Sequence, residues 1–113
     1  MAAGLDGTLA ALADPTRRRV IDMLRERPRR AGELASAFDL SPPAMSRHLR
    51  VLRTRGLIEA ERTDDDARLR IFRLRPEPFG ELRDWLGEVE RFWGRQLDSF
   101  KSRAETKHGE SDR

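Results

Sequence analysis

The sequence predicts a mainly α-helical fold with one small β-hairpin. Three observations carry that prediction. Residues 41–58 open on Ser41-Pro42-Pro43 and place Met45, Leu49 and Leu52 four and three apart, a helix with one apolar stripe. A shorter helical stretch, residues 32–38, precedes it across the turn Asp39-Leu40-Ser41. Beyond Pro78, nine large apolar side chains recur at mostly three- and four-residue spacings over 79–100, which marks a long amphipathic helix.

The elements follow in order. Leu5, Leu9 and Leu12 make residues 5–13 a short amphipathic helix. Asp14-Pro15-Thr16 starts the next, because Asp14 caps free N–H groups and Pro15 suits the first helical position. Val20, Ile21 and Leu24 face inward there, and Arg27-Pro28 ends the helix. Residues 31–38 form a third helix on Leu34, Ala35 and Phe38, without a good capping residue at its start. Ser41 caps the fourth helix, Pro42 fills its first position, and Gly56 stops it. Residues 57–63 and 68–74 read as two strands, with Ile58 and Ala60 alternating against Glu59 and Glu61, and with Leu69, Ile71, Phe72 and Leu74 as β-favouring residues. Asp64-Asp65-Asp66-Ala67 is the hairpin tip, longer than two residues because it lacks glycine. Pro76 and Pro78 lead into the last helix, read to about Arg103 and followed by a polar, frayed tail.

Four helices, a hairpin and a long helix make a winged helix-turn-helix, dimeric through its terminal helices. Its 113 residues are read as one domain. The DNA-reading part spans about 31–75, and the dimerisation helices about 5–13 and 78–103. Cysteine is absent, so neither disulfides nor thiolate ligands are available. No apolar run is long enough to span a membrane, and the N-terminal residues do not read as a signal peptide, so a cytoplasmic location without membrane association is expected. An enzyme is disfavoured. There is no Cys or Tyr, one His in the structured part, no Gly-rich phosphate loop and no carboxylate pair in an apparent pocket.

Charge distribution says more than the net +3. Residues 41–58 carry Arg47, Arg50, Arg53 and Arg55 and no acid, whereas residues 76–100 carry three arginines against six acids. Arginine enrichment alone (21 of 23 basic residues) would not clear acids from the fourth helix. A helix of this kind fits the major groove of double-stranded DNA. Ser46 and Arg47 are assigned to base reading, with Arg47 on phosphate as the alternative. Ser41, Pro43 and Ala44 join the DNA-binding set at the helix start, either touching bases or fixing the helix. His48 borders the buried stripe; it is counted in the set, although packing with one hydrogen bond suits it better than a ligand role. Arg50 and Arg53, like Arg55, are phosphate- or solvent-facing. Arg62, Arg68 and Arg70 flank the wing and approach the DNA backbone, while Asp64, Asp65 and Asp66 keep its tip in solvent. Arg17, Arg18 and Arg19 stand at a helix N-terminus, where cations are unfavourable. A phosphate, acids of a second subunit, or plain solvation would answer for them.

Leu5 and Leu9 on the first helix, and Leu82, Trp85, Leu86, Val89, Phe92, Trp93, Leu97 and Phe100 on the last, are assigned to a homodimer interface. A stripe this wide exceeds what the rest of a small domain covers. Trp85, Phe92 and Trp93 lining a pocket for an apolar ligand is an alternative, as is a winged-helix module that binds protein.

The segments ALADPTRRRVIDML, GELASAFDLSPPAMSRHLRVLRTRGLI and IFRL resemble the ArsR family of bacterial transcriptional regulators over roughly residues 8–100. The resemblance implies a homodimeric winged-helix repressor on a partly palindromic operator near its own promoter. Many metal-responsive members place cysteines in the run matching residues 33–40, and here alanines stand where thiolates would be. Others use Asp and His on the last helix, but residues 76–103 contain no His, and His48 and His108 are far apart in sequence. No metal and no cofactor is therefore expected. The last helix resembles an aromatic-rich branch of the family, treated as plain repressors.

Overall fold

Local signals set the helix boundaries. The computed structural model describes residues 2–61 and 70–111, with side chains over 4–61 and 70–104. Helix α1 spans Ala2–Leu12 and α2 spans Pro15–Glu26. Between them the Asp14 carboxylate accepts the N–H groups of Thr16 (2.8 Å) and Arg17 (3.1 Å), the predicted cap. These bonds, that of Arg17 foremost, hold the Asp14 carboxyl below its ordinary range, and the charges of His48 and Arg17 act in the same direction. Helix α1 begins earlier than the leucine spacing predicts, and of its leucine stripe Leu12 packs partly buried against the core. Thr8 and Ala11 face the core, Leu5 is half-buried and Leu9 is exposed. Thr8 is tolerated there because its hydroxyl donates to the Gly4 carbonyl (3.0 Å).

Helix α3 (Ala31–Ala37) and helix α4 (Pro42–Thr54) form the helix-turn-helix. Helix α3 begins without a side-chain cap, as expected, and α4 begins on Ser41, whose Oγ accepts the Ala44 N–H (3.3 Å). Both helices end in the same way. After α3, the Leu40 N–H donates to the Ala35 carbonyl and that of Asp39 to Ser36; after α4, Leu57 donates to Leu52 and Gly56 to Arg53. This is the Schellman arrangement, which needs a left-handed residue just past the helix. Gly56 supplies it at φ 77°, and Asp39 does so at φ 54° despite its side chain.

The hairpin prediction was incomplete. Strands β2 (Ile58–Glu61) and β3 (Ile71–Leu74) pair antiparallel with Ala60 opposite Phe72, and a third strand, β1 (Arg29–Arg30), pairs with the other edge of β3, giving the order β1-β3-β2. Two residues cannot display an alternation, so β1 left no pattern in the sequence. The inward side chains Ile58 and Phe72 are buried, and outward on the same sheet Arg73 pairs with Glu61. Of the predicted strands, Leu57 and Arg70 fall just outside the paired residues, and 62–63 and 68–69, with the tip and so with Arg62 and Arg68, lie outside the described residues.

The chain divides into two compact units, residues 1–81 and residues 82–113. The core of the first joins Val20, Ile21 and Leu24 of α2 to Leu34, Met45, Leu49, Leu52, Leu57, Ile58 and Phe72. Burial of each large apolar side chain contributes about 1.5–3 kcal/mol. Arg29 fastens the edge of this unit: it donates to the Met23 carbonyl at the end of α2 (3.3 Å), to Glu26 (2.9 Å) and to Glu33 of α3 (3.0 Å). Arg29 and Arg27 together hold the Glu33 carboxyl below its ordinary range by hydrogen bonds and charge. Helix α5 spans Pro76–Ser111, past the predicted end near Arg103, because no proline interrupts the polar tail.

Candidate nucleic-acid interface

Helix α4 buries Met45, Leu49 and Leu52, so helical geometry turns Pro43, Arg47 and Arg50 to the opposite side. Ser41, Pro43, Ser46, Arg47, Arg50 and Arg53 are exposed, and Ala44 and His48 are half-buried. The structure thus gathers most of the predicted DNA-binding residues on one helix surface. His48 lies on the flank it shares with Ala44 and Val51, within electrostatic reach of Asp14. Arg55 leaves the face: its side chain packs on Gly7 of α1, where an added Cβ would stand 3.0 Å from its Cδ.

The arginines divide by occupation. Arg17 donates through Nε to the Ala11 carbonyl (2.6 Å) and through a terminal nitrogen to Ala10 (3.3 Å); Arg18 donates to Leu12 (2.7 Å). These cations answer the negative end of α1, which offsets their unfavourable position at the start of α2. Arg19 stacks on the Phe38 ring at 4.5 Å. The cluster's partners in this chain are therefore carbonyls and a ring, which its sequence position did not reveal. Arg27, Arg29 and Arg73 are held by glutamates. Among the described residues, Arg47, Arg50, Arg53 and Arg70 make no hydrogen bond or ion pair. These four lie on α4 and just before β3, and α4 itself carries no carboxylate.

Arg70 is brought to α4 by the sheet. Its carbonyl accepts the Ala31 N–H (3.3 Å), and the β1–β3 pairing follows directly. Arg70, Arg50, Arg53 and Ser46 thereby border one hollow of about 170 Å3 floored by Ala31, Leu49 and Phe72. Sequence reasoning placed these residues on a common DNA side but had no means of seeing that they converge.

Among the described residues no group of three or more His, Cys, Asp or Glu is arranged to hold a metal ion, and no helix is long and apolar enough to cross a membrane.

The candidate dimer residues on α5 are Leu82 and Val89, half-buried, and Trp85, Leu86, Phe92, Trp93, Leu97 and Phe100, exposed. The exposure of Trp93 is 56% and that of Phe100 70%. Phe79, Leu86, Trp93 and Phe100 stand seven apart, as do Leu82 and Val89, the repeat of a helix that packs lengthwise on another helix.

Comparison with known proteins agrees with this architecture. Residues 14–60 match the bacterial regulatory protein, arsR family. The chain is 37% identical over 95 residues to the HTH-type transcriptional regulator Rv2034 of Mycobacterium tuberculosis, covering 84% of this chain and 83% of that protein. It is 34% identical over 58 residues to the transcriptional repressor SdpR of Bacillus subtilis, covering 51% and 64%. The crystal structure of the ArsR family transcriptional regulator RHA00566 superposes with a TM-score of 0.74 at 34% identity, over 83% of this chain and 94% of that one. The chain belongs to the ArsR family of DNA-binding transcriptional regulators and is not an enzyme.

Proposed function

We propose that this chain is a homodimeric repressor that recognises a partly palindromic double-stranded operator, its own promoter included, and works without a sensor metal. The observation that carries the reading is the outer face of α4, where Arg47 and Arg50 project with no acid in the helix and no intramolecular partner among the described residues. Such cations are free for phosphate and for guanine edges. The first unit reads DNA. The apolar faces of α5 and of α1 at Leu5 and Leu9 are the surfaces that a second copy covers. Two copies related by a two-fold axis set their α4 helices in successive major grooves about 34 Å apart, and occupancy there excludes polymerase. The repressor sense is supported by the name of the SdpR relative. Alanines at 35 and 37, and the absence of cysteine, support release that does not depend on a thiolate-bound metal.

The test is binding to the DNA upstream of its own coding region, measured against scrambled duplex by fluorescence anisotropy. Arg47→Ala should cost about 1–3 kcal/mol on the preferred site and little on scrambled DNA. Equal loss on both would move Arg47 from base to phosphate. Failure of the unaltered chain to prefer any duplex would overturn the reading.

A further inference from the structure

The hollow between α4 and the start of β3 has a specific chemistry. Arg50 and Arg53 reach it from the recognition helix, one turn apart, and Arg70 reaches it from the base of the wing. Ser46 adds a hydroxyl at the rim, and Ala31, Leu49 and Phe72 close the bottom with apolar surface. Among the described residues no acidic one lines it. Several arginines elsewhere in the same unit are engaged by carbonyls or glutamates, as Arg17, Arg18, Arg27 and Arg29 are. Three arginines bordering one small hollow bring like charges to the same place, and apolar walls weaken the screening. An anion offsets that charge. At about 170 Å3 the space is smaller than the ~300 Å3 at which pockets for drug-sized molecules begin, and it suits a tetrahedral oxyanion. Arginine forks and a hydroxyl are the donors such an oxyanion takes.

We propose that Arg50, Arg53, Arg70 and Ser46 hold one and the same backbone phosphate diester of the DNA, so that a single anion joins the recognition helix to the wing. This inference rests on the DNA-binding reading above and deepens it. A phosphate gripped from two elements fixes the depth and rotation of α4 in the groove, and so sets which bases Ser46 and Arg47 meet. Ser46 then stands at the boundary of two tasks, within reach of phosphate on one side and base edges on the other.

The test is a double-mutant cycle with the full chain on a scrambled duplex, read as the dissociation constant across a salt series. Arg50→Ala and Arg70→Ala should each weaken binding about tenfold. If both residues serve one phosphate, the double variant should fall no more than about twofold below the weaker single variant. The slope of log K against log salt should drop by about 0.9 in all three. Multiplying losses, with a slope drop of about 1.8 in the double variant, would assign the arginines to separate phosphates and overturn the proposal. Arg50→Lys and Arg70→Lys keep the charge and lose the fork; unchanged affinity in both would also overturn it. Inorganic phosphate added at constant ionic strength separates the two sources of the anion. Competition by millimolar phosphate in the unaltered chain but not in the double variant would place DNA and phosphate at the same arginines, whereas phosphate that binds with the DNA affinity unchanged would give the site to free phosphate and overturn the proposal. If the unaltered chain binds no duplex at low salt, the DNA reading itself fails, an outcome distinct from multiplicative losses in a chain that does bind.

Discussion

Replacing Asp39 by glycine should stabilise the protein. Asp39 ends α3 in the left-handed region at φ 54°, where the matching position after α4 carries Gly56 at φ 77°. An L residue costs about 1–2 kcal/mol there, and Asp stands at the low end because its short side chain tolerates the conformation. Glycine returns part of that gain through its greater freedom in the unfolded chain, leaving about 0.5–1 kcal/mol net. The Asp39 carboxylate has no hydrogen bond or ion pair among the described residues, so none is forfeited. Its removal also relieves a negative charge at the negative end of α3. The expected rise in Tm is about 2–4 °C, with a shift in the urea midpoint at constant m, both at fixed protein concentration. Asp39→Asn separates the two causes, because it removes the charge and keeps a side chain at the left-handed position. A larger gain for glycine than for asparagine assigns the effect to the backbone. A loss of stability in Asp39→Gly would refute the reasoning.

Two other outcomes follow from features already described. Trp93→Glu should move the chain from dimer to monomer in sedimentation: covering the exposed 56% of that side chain is worth roughly 3 kcal/mol per protomer at ~25 cal/mol per Å2, and an unaltered dimer would remove Trp93 from the interface. Stability should fall on the acid side. Asp14 and Glu33 have folded-state pKa values below 3.8 and 4.5, so their contribution is complete above those values and disappears as pH falls through the depressed folded ones. Asp14→Asn combined with Glu33→Gln should flatten the decline of Tm below about pH 4.5, and an unchanged slope would show that other carboxylates set it.

The parts of the fold that were legible in the sequence are those with side-chain signatures at their ends. Asp14-Pro15 and Ser41-Pro42 announce α2 and α4 because capping is a local act of named side chains, and Gly56 announces a stop because φ 77° favours glycine. What stayed hidden depends on distant partners. β1 is two residues long and exists because β3 offers an edge. Arg17 and Arg18 read as a basic cluster answered by a phosphate, a second subunit's acids or solvent, yet their partners are the closing carbonyls of α1, which carry no side-chain identity. The inward side of α1 had no mark in the leucine spacing, because Thr8 satisfies its own hydroxyl and is buried while Leu9 stays open. At the interface, the acid-free run disclosed α4, but the approach of Arg70 required the sheet.

The junction after α4 has a mechanical consequence. Leu57 is tied back to Leu52 at 3.0 Å, and its carbonyl accepts the Arg75 N–H at 2.9 Å, while its side chain is fully buried. Helix α4 and the strands behind it therefore have no hinge between them, and if α4 reads DNA as proposed they travel as a stiff tool. When such a tool meets an imperfect site, adjustment falls to the nucleic acid, whose bending energy depends on its own base steps. Discrimination then extends to positions that no side chain touches.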